Sequence, residues 1–317
     1  MAGVKYQEYQ LLSGEMRRLV KQVKDGTIIT RFDKTPFPAK AEDVVCPHFM
    51  ELKWGYGCPF NCSWCFLKGT LRLVKTKTLP VSKDYTKIKE HVQYFFENDG
   101  VSSELLNSGE LADSLMTEHM QQPFSKIIVP LFEQQKRHKL LMLTKSTNVE
   151  NLLALEGQRQ TIVSFSLNAP TVSKRWERAP HPFKRIEAGK KLAENGYAVR
   201  VRIDPMVPIE KWQEDYTGLL NKLFESFEPE RITIGSLRGL ASTIRNCPDK
   251  SWTEYLNEKS NWGRKISTEK RVEMYSFVKN CLKDRFGYKK LALCKETVEM
   301  WNRLGADYRD IKCNCLL

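Results

Sequence analysis

The chain has 317 residues, of which 41% are hydrophobic, enough for one large α/β domain or for two smaller domains. No apolar run approaches the roughly 18 residues that a membrane-spanning helix needs, and the first residues form no apolar signal segment. Lysine and arginine number 51 against 38 acidic residues, and the resulting net charge of +13 favours contact with phosphates. We therefore expect a cytoplasmic protein with no membrane partner, whose basic charge either binds nucleic acid or is simply solvated.

The predicted elements alternate between strands and helices over the middle of the chain. Residues 1–48 are predicted to form an irregular N-terminal extension with a short basic helix near residues 14–24. The strand candidates of the region 49–240 are residues 50–54, 103–108, 140–144, 161–167, 198–203 (ended by Pro205) and 231–235. The helix candidates are residues 85–98, 183–195 and 214–227. Residues 241–317, with a helix near 268–286 and a cysteine-bearing tail, are interpreted as a closing segment.

This alternation predicts an α/β fold with parallel strands and right-handed crossovers. Because six units are fewer than the eight of a closed barrel, we expect an open, partial (β/α)6 barrel over residues 49–240. Sites in parallel α/β architectures lie beyond the carboxyl ends of the strands. Polar residues occupy those positions here: Ser108, Glu110, Lys145, Asn168 and Asp204.

A group of three cysteines is the strongest chemical signal. Cys58, Cys62 and Cys65 have C-x₃-C-x₂-C spacing in the loop after the first predicted strand. A cubane [4Fe–4S] cluster has four irons and normally takes four thiolates, so three thiolates leave one iron open for a cofactor. The alternative is a tetrahedral zinc site with a distant fourth ligand, although zinc sites usually use paired cysteine elements separated by a loop.

The other cysteines fall into two sets. The scattered ones are predicted to be buried, small and inert: Cys46, Cys247, Cys281 and Cys294. Cys313 and Cys315 form a second group near the end of the sequence. A tail thiol could fold over the barrel mouth as a hydrogen donor or bind a further metal, and an exposed tail with incidental cysteines is the alternative.

The cysteine motif resembles that of the radical S-adenosylmethionine superfamily, and residues 45–240 are similar to its spore photoproduct lyase-like branch. The matching segments are residues 57–65 with 70–71, 108–115, 144–153, 164–168 and 202–205. The resemblance implies that an open iron chelates the amino and carboxylate groups of S-adenosylmethionine. Reductive cleavage of this cofactor would give methionine and a 5′-deoxyadenosyl radical, which abstracts a substrate hydrogen.

The resemblance also implies roles for individual side chains. Glu110 would accept a hydrogen bond from the methionine ammonium, and Lys145 with Ser166 would bind its carboxylate. Glu110 could instead be a helix-start carboxylate, and Lys145 could face solvent. The remaining candidates for contact with the cofactor or substrate are Tyr56, Ser108, Asn168 and Arg202. Three loop residues could contact phosphate or simply be solvated: Arg175, Arg178 and His181.

One departure from the branch concerns the end of the reaction. Spore photoproduct lyases return a hydrogen atom from a cysteine just after the second strand, and that position is Gly109 here. They also use tyrosines flanking the third cluster cysteine, where this chain has Trp64 and Phe66. The resemblance therefore extends to radical generation but not to the relay that returns the hydrogen.

We predict a radical S-adenosylmethionine enzyme, lyase-like, that acts on DNA and takes electrons from a donor such as flavodoxin or ferredoxin. The same chemistry on RNA, a peptide or a small metabolite is one alternative. A non-catalytic metal-binding nucleic-acid module is another.

Overall fold

The computed structural model describes residues 3–100, 103–155, 159–260 and 262–317. A ten-stranded sheet forms its centre. Its strands β1–β10 are Val4–Gln10, Met16–Val23, Ile29–Arg31, Met50–Leu52, Leu105–Asn107, Lys139–Thr144, Thr161–Leu167, Ala198–Met206, Arg231–Ser236 and Leu291–Leu293. The helices α1–α10 are Leu67–Thr70, Tyr85–Asn98, Phe124–Glu133, Glu150–Leu153, Pro170–Trp176, Pro182–Glu194, Trp212–Ser226, Ala241–Asn246, Thr268–Phe286 and Val298–Arg303.

Seven strands, β4 to β10, are neighbours in chain order, and every pair is parallel. Crossovers that carry helices connect them, and β1 and β10 form the two open edges. The predicted α/β fold with an open parallel sheet is therefore confirmed, and all six predicted strands are present. The strand predicted to end before Pro205 continues to Met206, with a shift in register after Ile203.

The closing segment supplies a seventh parallel strand that the sequence analysis missed. Leu291–Leu293 follows α9 and pairs with β9, so residues 241–317 extend the sheet. Three residues are too few to show a periodic pattern, which explains the omission. Short strands complete the fold: Val44–Val45, Gly55–Tyr56, Val81–Ser82, Arg238–Gly239, Glu258–Ser260, Gly263–Lys265 and Glu296–Thr297.

The prediction of an irregular N-terminal extension with a basic helix near residues 14–24 is wrong. Strands β1 and β2 form an antiparallel hairpin, and β3 joins it to β4, so this segment continues the main sheet. Val20 and Val23 are fully buried, whereas the basic residues at the start of β2 are exposed. A hairpin with one solvent-exposed face makes its backbone hydrogen bonds within the sheet and can carry basic side chains on that face.

The two faces of the parallel sheet have different partners. Phe165 of β7 packs towards Gly189 of α6, so its neighbours Ser164 and Ser166 face the opposite side of the sheet. The C-terminal residues lie on that opposite side, because Asn314 Nδ2 donates to Ser164 Oγ at 2.9 Å. None of the helices in the described ranges combines the length and apolar character needed to span a bilayer.

Candidate active site

Two adjoining cavities lie where the carboxyl ends of the parallel strands meet. The larger has a volume of about 400 Å³ and the smaller, beside the cysteine loop, about 130 Å³. Their shared walls include Cys62, Cys65, Glu110, Lys145 and Ser166. The structure thus brings five predicted site residues from four separate loops and strands to one place.

The cysteine loop places all three thiols on the smaller cavity. Cys58, Cys62 and Cys65 line its wall, and Lys68 Nζ donates to the carbonyl of Cys62 at 2.6 Å. Gly57 has φ +87°, and a Cβ there would lie 2.1 Å from the carbonyl oxygen of Leu79. Glycine is therefore required for the loop to pack against residues 78–79.

Burial keeps these three thiols protonated unless they bind a metal. Burial raises the pKa of Cys62 to about 12 and raises that of Cys58 and Cys65, so each thiol needs a metal to ionise at neutral pH. Thiolates are the ligand type that iron–sulfur clusters take, so this donor set fits such a cluster.

Lys145 belongs to a buried ionic network beside the cysteines. Its Nζ lies 2.8 Å from Ser166 Oγ and 2.9 Å from Glu177 Oε1. Arg185 approaches the other oxygen of Glu177 at 2.7 Å. Burial alone would raise the pKa of Glu177, but the Lys145 and Arg185 cations lower it to about 2. Two cations sharing one carboxylate leave a net positive charge facing the cavity, suited to a carboxylate ligand.

Glu110 lines both cavities and is partly exposed. The nearby Asp113 is buried and anchors the end of β6, accepting from Thr144 Oγ1 at 2.7 Å and from the Lys145 backbone N–H at 2.8 Å. The Asp113 carboxylate therefore fixes the direction in which the chain continues from the end of β6 at Lys145.

Three predicted cofactor residues lie outside the described cavity walls. Ser108 is buried and donates through Oγ to the carbonyl of Leu141 at 2.9 Å. Asn168 is fully buried, with its amide donating to the Pro205 carbonyl and its Oδ1 accepting from Tyr216. Tyr56 pairs with Val81 in a short ladder. In these positions the side chains of Ser108 and Asn168 hold the strand ends.

The residues predicted to contact phosphate also lie away from both cavities, and Arg175 belongs to helix α5 rather than to a loop. Arg175 stacks over Trp176, its guanidinium carbon 4.4 Å from the ring centroid, and approaches Glu254 at 3.4 Å. Arg178 is exposed, and His181 Nδ1 accepts from the backbone N–H of Phe183 at the start of α6.

The tail cysteines lie inside the molecule, so the alternative of an exposed tail is wrong. Cys313 and Cys315 are only 6% and 8% exposed, and both line the larger cavity. Arg202 Nη2, on the same cavity wall, donates to Cys315 Sγ at 3.1 Å. This tail is therefore a fixed part of the cavity.

Of the four scattered cysteines predicted to be buried, only Cys247 is buried, whereas Cys46, Cys281 and Cys294 are partly exposed. Cys46 and Cys294 line the larger cavity with Arg238 and Lys295, and Asp204 there receives two hydrogen bonds from Arg238. The sequence analysis missed the network partners Glu177 and Arg185. Only the number of cysteines could have drawn attention to Cys46 and Cys294, because they are far apart in the chain.

Two of the three positions that depart from the hydrogen-return relay, Gly109 and Trp64, are structurally constrained. A Cβ at Gly109 would lie 2.4 Å from Leu143 Cβ and 3.1 Å from its Cα, so a side chain does not fit without movement of β6. Trp64 is buried against Trp176, with ring centroids 5.7 Å apart, whereas Phe66 is 38% exposed and lines both cavities.

Comparison with known proteins gives a consistent result. The spore photoproduct lyase family model matches residues 50–235. Spore photoproduct lyase of Bacillus subtilis (strain 168) is 28% identical over 171 residues, which cover 53% of this chain and 48% of the relative. The Clostridium acetobutylicum enzyme is 24% identical over 174 residues, covering 52% and 49%. This chain thus spans about half the length of the curated relatives it matches.

Solved structures show the shared fold. Spore photoproduct lyase complexed with dinucleoside spore photoproduct has a TM-score of 0.65 at 16% identity, covering 81% of this chain and 80% of that one. A mutant of spore photoproduct lyase with bound AdoMet and the same lesion has a TM-score of 0.63 at 17% identity, with the same coverage. Since the family model covers more than half of the 317 residues, the chain belongs to the spore photoproduct lyase family.

Proposed function

We propose that this protein is a radical S-adenosylmethionine enzyme that abstracts hydrogen from DNA. The observation that carries the proposal is that the three motif cysteines, Lys145 and Ser166 line one cavity. The thiols are the ligand type for an iron–sulfur cluster, and the cation beside them suits a carboxylate. The solved relatives with bound AdoMet support the same cofactor here.

Each residue then has a defined task. Cys58, Cys62 and Cys65 would hold a [4Fe–4S] cluster, which would supply an open iron for S-adenosylmethionine and an electron for its reductive cleavage. Lys145, kept cationic by Glu177 and oriented by Ser166, binds the methionine carboxylate. Glu110 accepts from the ammonium. Holding the cofactor against its target within a cavity supplies orientation and excludes water.

DNA is the proposed substrate class for two reasons. The net charge of +13 favours a polyanion. The solved relatives in the complexes contain a dinucleoside spore photoproduct, a nucleic-acid lesion. A base within a duplex must leave the stack to reach an enclosed site. We also propose a cytoplasmic protein reduced by a small electron-transfer partner such as flavodoxin or ferredoxin.

Anaerobic reconstitution with iron and sulfide tests the radical chemistry. We expect a brown protein that forms 5′-deoxyadenosine from S-adenosylmethionine and dithionite, and loss of this product in Cys62→Ser. Cys281→Ser, a partly exposed cysteine of α9, serves as the control and should keep full product formation. A colourless zinc protein that never cleaves the cofactor would contradict the proposal and favour a non-catalytic metal-binding module.

Cofactor binding tests the role of Lys145. Lys145→Ala should weaken S-adenosylmethionine binding by at least tenfold, since a charge-assisted contact contributes roughly 1.5–3 kcal/mol. The matched control is Lys174→Ala, because Lys174 is exposed on α5 and lies away from both cavities. Equal affinities for the two variants would remove Lys145 from the cofactor site.

The substrate class has its own test. DNA affinity should fall steeply as salt rises, because each phosphate contact releases counterions. Deuterium transfer from labelled DNA into 5′-deoxyadenosine would identify the target hydrogen. Transfer from RNA, a peptide or a metabolite but not from DNA would contradict the DNA assignment while leaving the radical chemistry intact.

A further inference from the structure

Four cysteines outside the C-x₃-C-x₂-C motif lie on the wall of the larger cavity. They are Cys46, Cys294, Cys313 and Cys315. All four are free thiols, and they come from three separate segments of the chain. We call them the second cysteine set. Of the nine cysteines, only Cys247 and Cys281 lie away from both cavities.

A short ladder explains how two of them meet. Val45 pairs antiparallel with Glu296, so the residues that follow Val45 run alongside those that precede Glu296. The ladder brings Cys46 close to Lys295 and Cys294, whose charges both act on it. The Cys294 backbone N–H donates to the Ile234 carbonyl at 2.7 Å, which fixes this strand end against β9.

The other two cysteines are held by the residue between them. Asn314 is almost fully buried; its Nδ2 donates to Ser164 Oγ and to the Val201 carbonyl, both at 2.9 Å. Its Oδ1 accepts from Thr233 Oγ1 at 2.8 Å. The tail is thus bound to three adjacent strands, and Cys313 and Cys315 keep fixed positions at the cavity.

Cations lie next to two members of the second cysteine set. Arg202 Nη2 lies 3.1 Å from Cys315 Sγ, and Arg238 Nη2 lies 3.6 Å from Cys294 Sγ. Lys295 completes a group of three cations on this wall. Arg202 Nε is buried with no hydrogen-bond partner among the described residues, so it retains a donor for an anionic guest.

The thiols of the second cysteine set lie within electrostatic reach of one another. Cys46 interacts with Cys294 and Cys315, and Cys313 interacts with Cys46 and Cys315.

We propose that Cys46, Cys294, Cys313 and Cys315 bind a second [4Fe–4S] cluster on the wall of the larger cavity. Four thiolates satisfy all four irons, so this cluster would have no open iron and would carry electrons rather than bind S-adenosylmethionine. The cations and the spare Arg202 donor would stabilise its negative charge and hydrogen-bond its sulfur atoms.

Zinc is the other metal that four cysteine thiolates bind, and metal analysis distinguishes the two. A ligating thiolate carries no S–H hydrogen, so this assignment replaces the prediction that Cys313 and Cys315 donate hydrogen.

Iron and sulfide analysis of the full chain after anaerobic reconstitution tests the inference independently of activity. Two cubanes should give about eight irons per chain. Cys58→Ser/Cys62→Ser/Cys65→Ser should retain about four irons with the Mössbauer signature of a four-thiolate cubane. Cys46→Ser/Cys294→Ser and Cys313→Ser/Cys315→Ser should each lose the other four, whereas Cys281→Ser should lose none.

Two double variants guard against misfolding, because the ladder and the tail are separate segments and circular dichroism can verify each fold. Four irons in the wild type with none in the motif triple variant would overturn the inference. So would one zinc per chain that both double variants lose. Failure of the proposed function gives a different pattern, in which the motif triple variant loses no iron and the double variants still do.

Discussion

The carboxylate of Glu177 lies directly behind the Lys145 ammonium, with Oε1 2.9 Å from Nζ. Its other oxygen is 2.7 Å from Arg185, and the Glu177 side chain is completely inaccessible to solvent. The Lys145 ammonium at the cavity is therefore held in place by Glu177, a residue that sequence patterns did not reveal. One buried carboxylate sets the charge, the orientation and the stability of this wall.

Replacing Glu177 should destabilise the metal-free protein strongly. Glu177→Gln leaves two buried cations without their counter-charge, and breaking a buried ion pair costs about 3–5 kcal/mol. Urea unfolding at pH 7 measures the change. The control is Glu194→Gln on α6, an exposed residue whose nearest lysine is 3.7 Å away, and it should change stability by less than about 0.5 kcal/mol.

The same carboxylate predicts a pH dependence. The pKa of Glu177 is lowered from 4.5 to about 2, so its contribution is complete above about pH 4.5 and is lost as pH falls towards 2. Between pH 7 and pH 3.5 the free energy of unfolding of the wild type should fall by about 1 kcal/mol more than that of Glu177→Gln, because the variant lacks this titrating carboxylate. Parallel pH profiles for the two proteins would show that Glu177 is not ionised against Lys145 and Arg185.

Gly109 should resist substitution. An added Cβ would lie 2.4 Å from Leu143 Cβ, so Gly109→Ala should cost about 1–3 kcal/mol through overpacking, and Gly109→Cys at least as much. Gly218→Ala is the matched control: nothing lies within 4 Å of its added Cβ on α7, and alanine should stabilise that helix by about 0.5–1 kcal/mol. Denaturant unfolding compares them.

A Gly109→Cys variant with wild-type stability would contradict this account of the close packing. The expected result bears on the reaction's ending. If a cysteine cannot be accommodated there, the thiol of the related enzymes cannot be restored by one substitution. The group that returns the hydrogen atom then has to lie elsewhere in the cavity.

Buried parallel strands were predictable because their patterns are strong. All seven residues of Thr161–Leu167 are buried, and the predicted bounds match the observed ones. The helix Tyr85–Asn98 was equally clear from its apolar face. In contrast, Met16–Val23 is the second strand from the sheet edge and has three exposed residues at its start. Its local charge made it resemble a helix.

The site was predictable where its residues are adjacent in sequence or follow strands. The motif cysteines and Lys145 therefore emerged from the sequence. Cys46 and Cys294 meet through a two-residue ladder, which leaves no periodic signal. The tail was misjudged for a related reason: its order comes from hydrogen bonds of Asn314 to distant strands, and composition does not encode those.

Asn314 should therefore control the order of the tail. Asn314→Ala removes hydrogen bonds to Ser164, Val201 and Thr233 and leaves their buried groups unpaired, at a cost of about 2–4 kcal/mol. Hydrogen exchange of residues 313–317 should accelerate, with urea unfolding measured in parallel. Asn302→Ala, at an exposed position on α10, should change stability by less than about 0.5 kcal/mol and leave the tail protected.

If Asn314→Ala kept both stability and exchange protection, the tail would be held chiefly by the contacts of Arg200 and Arg231 to its carbonyls. The expected loss would instead make Asn314 the side chain that fixes Cys313 and Cys315 at the cavity.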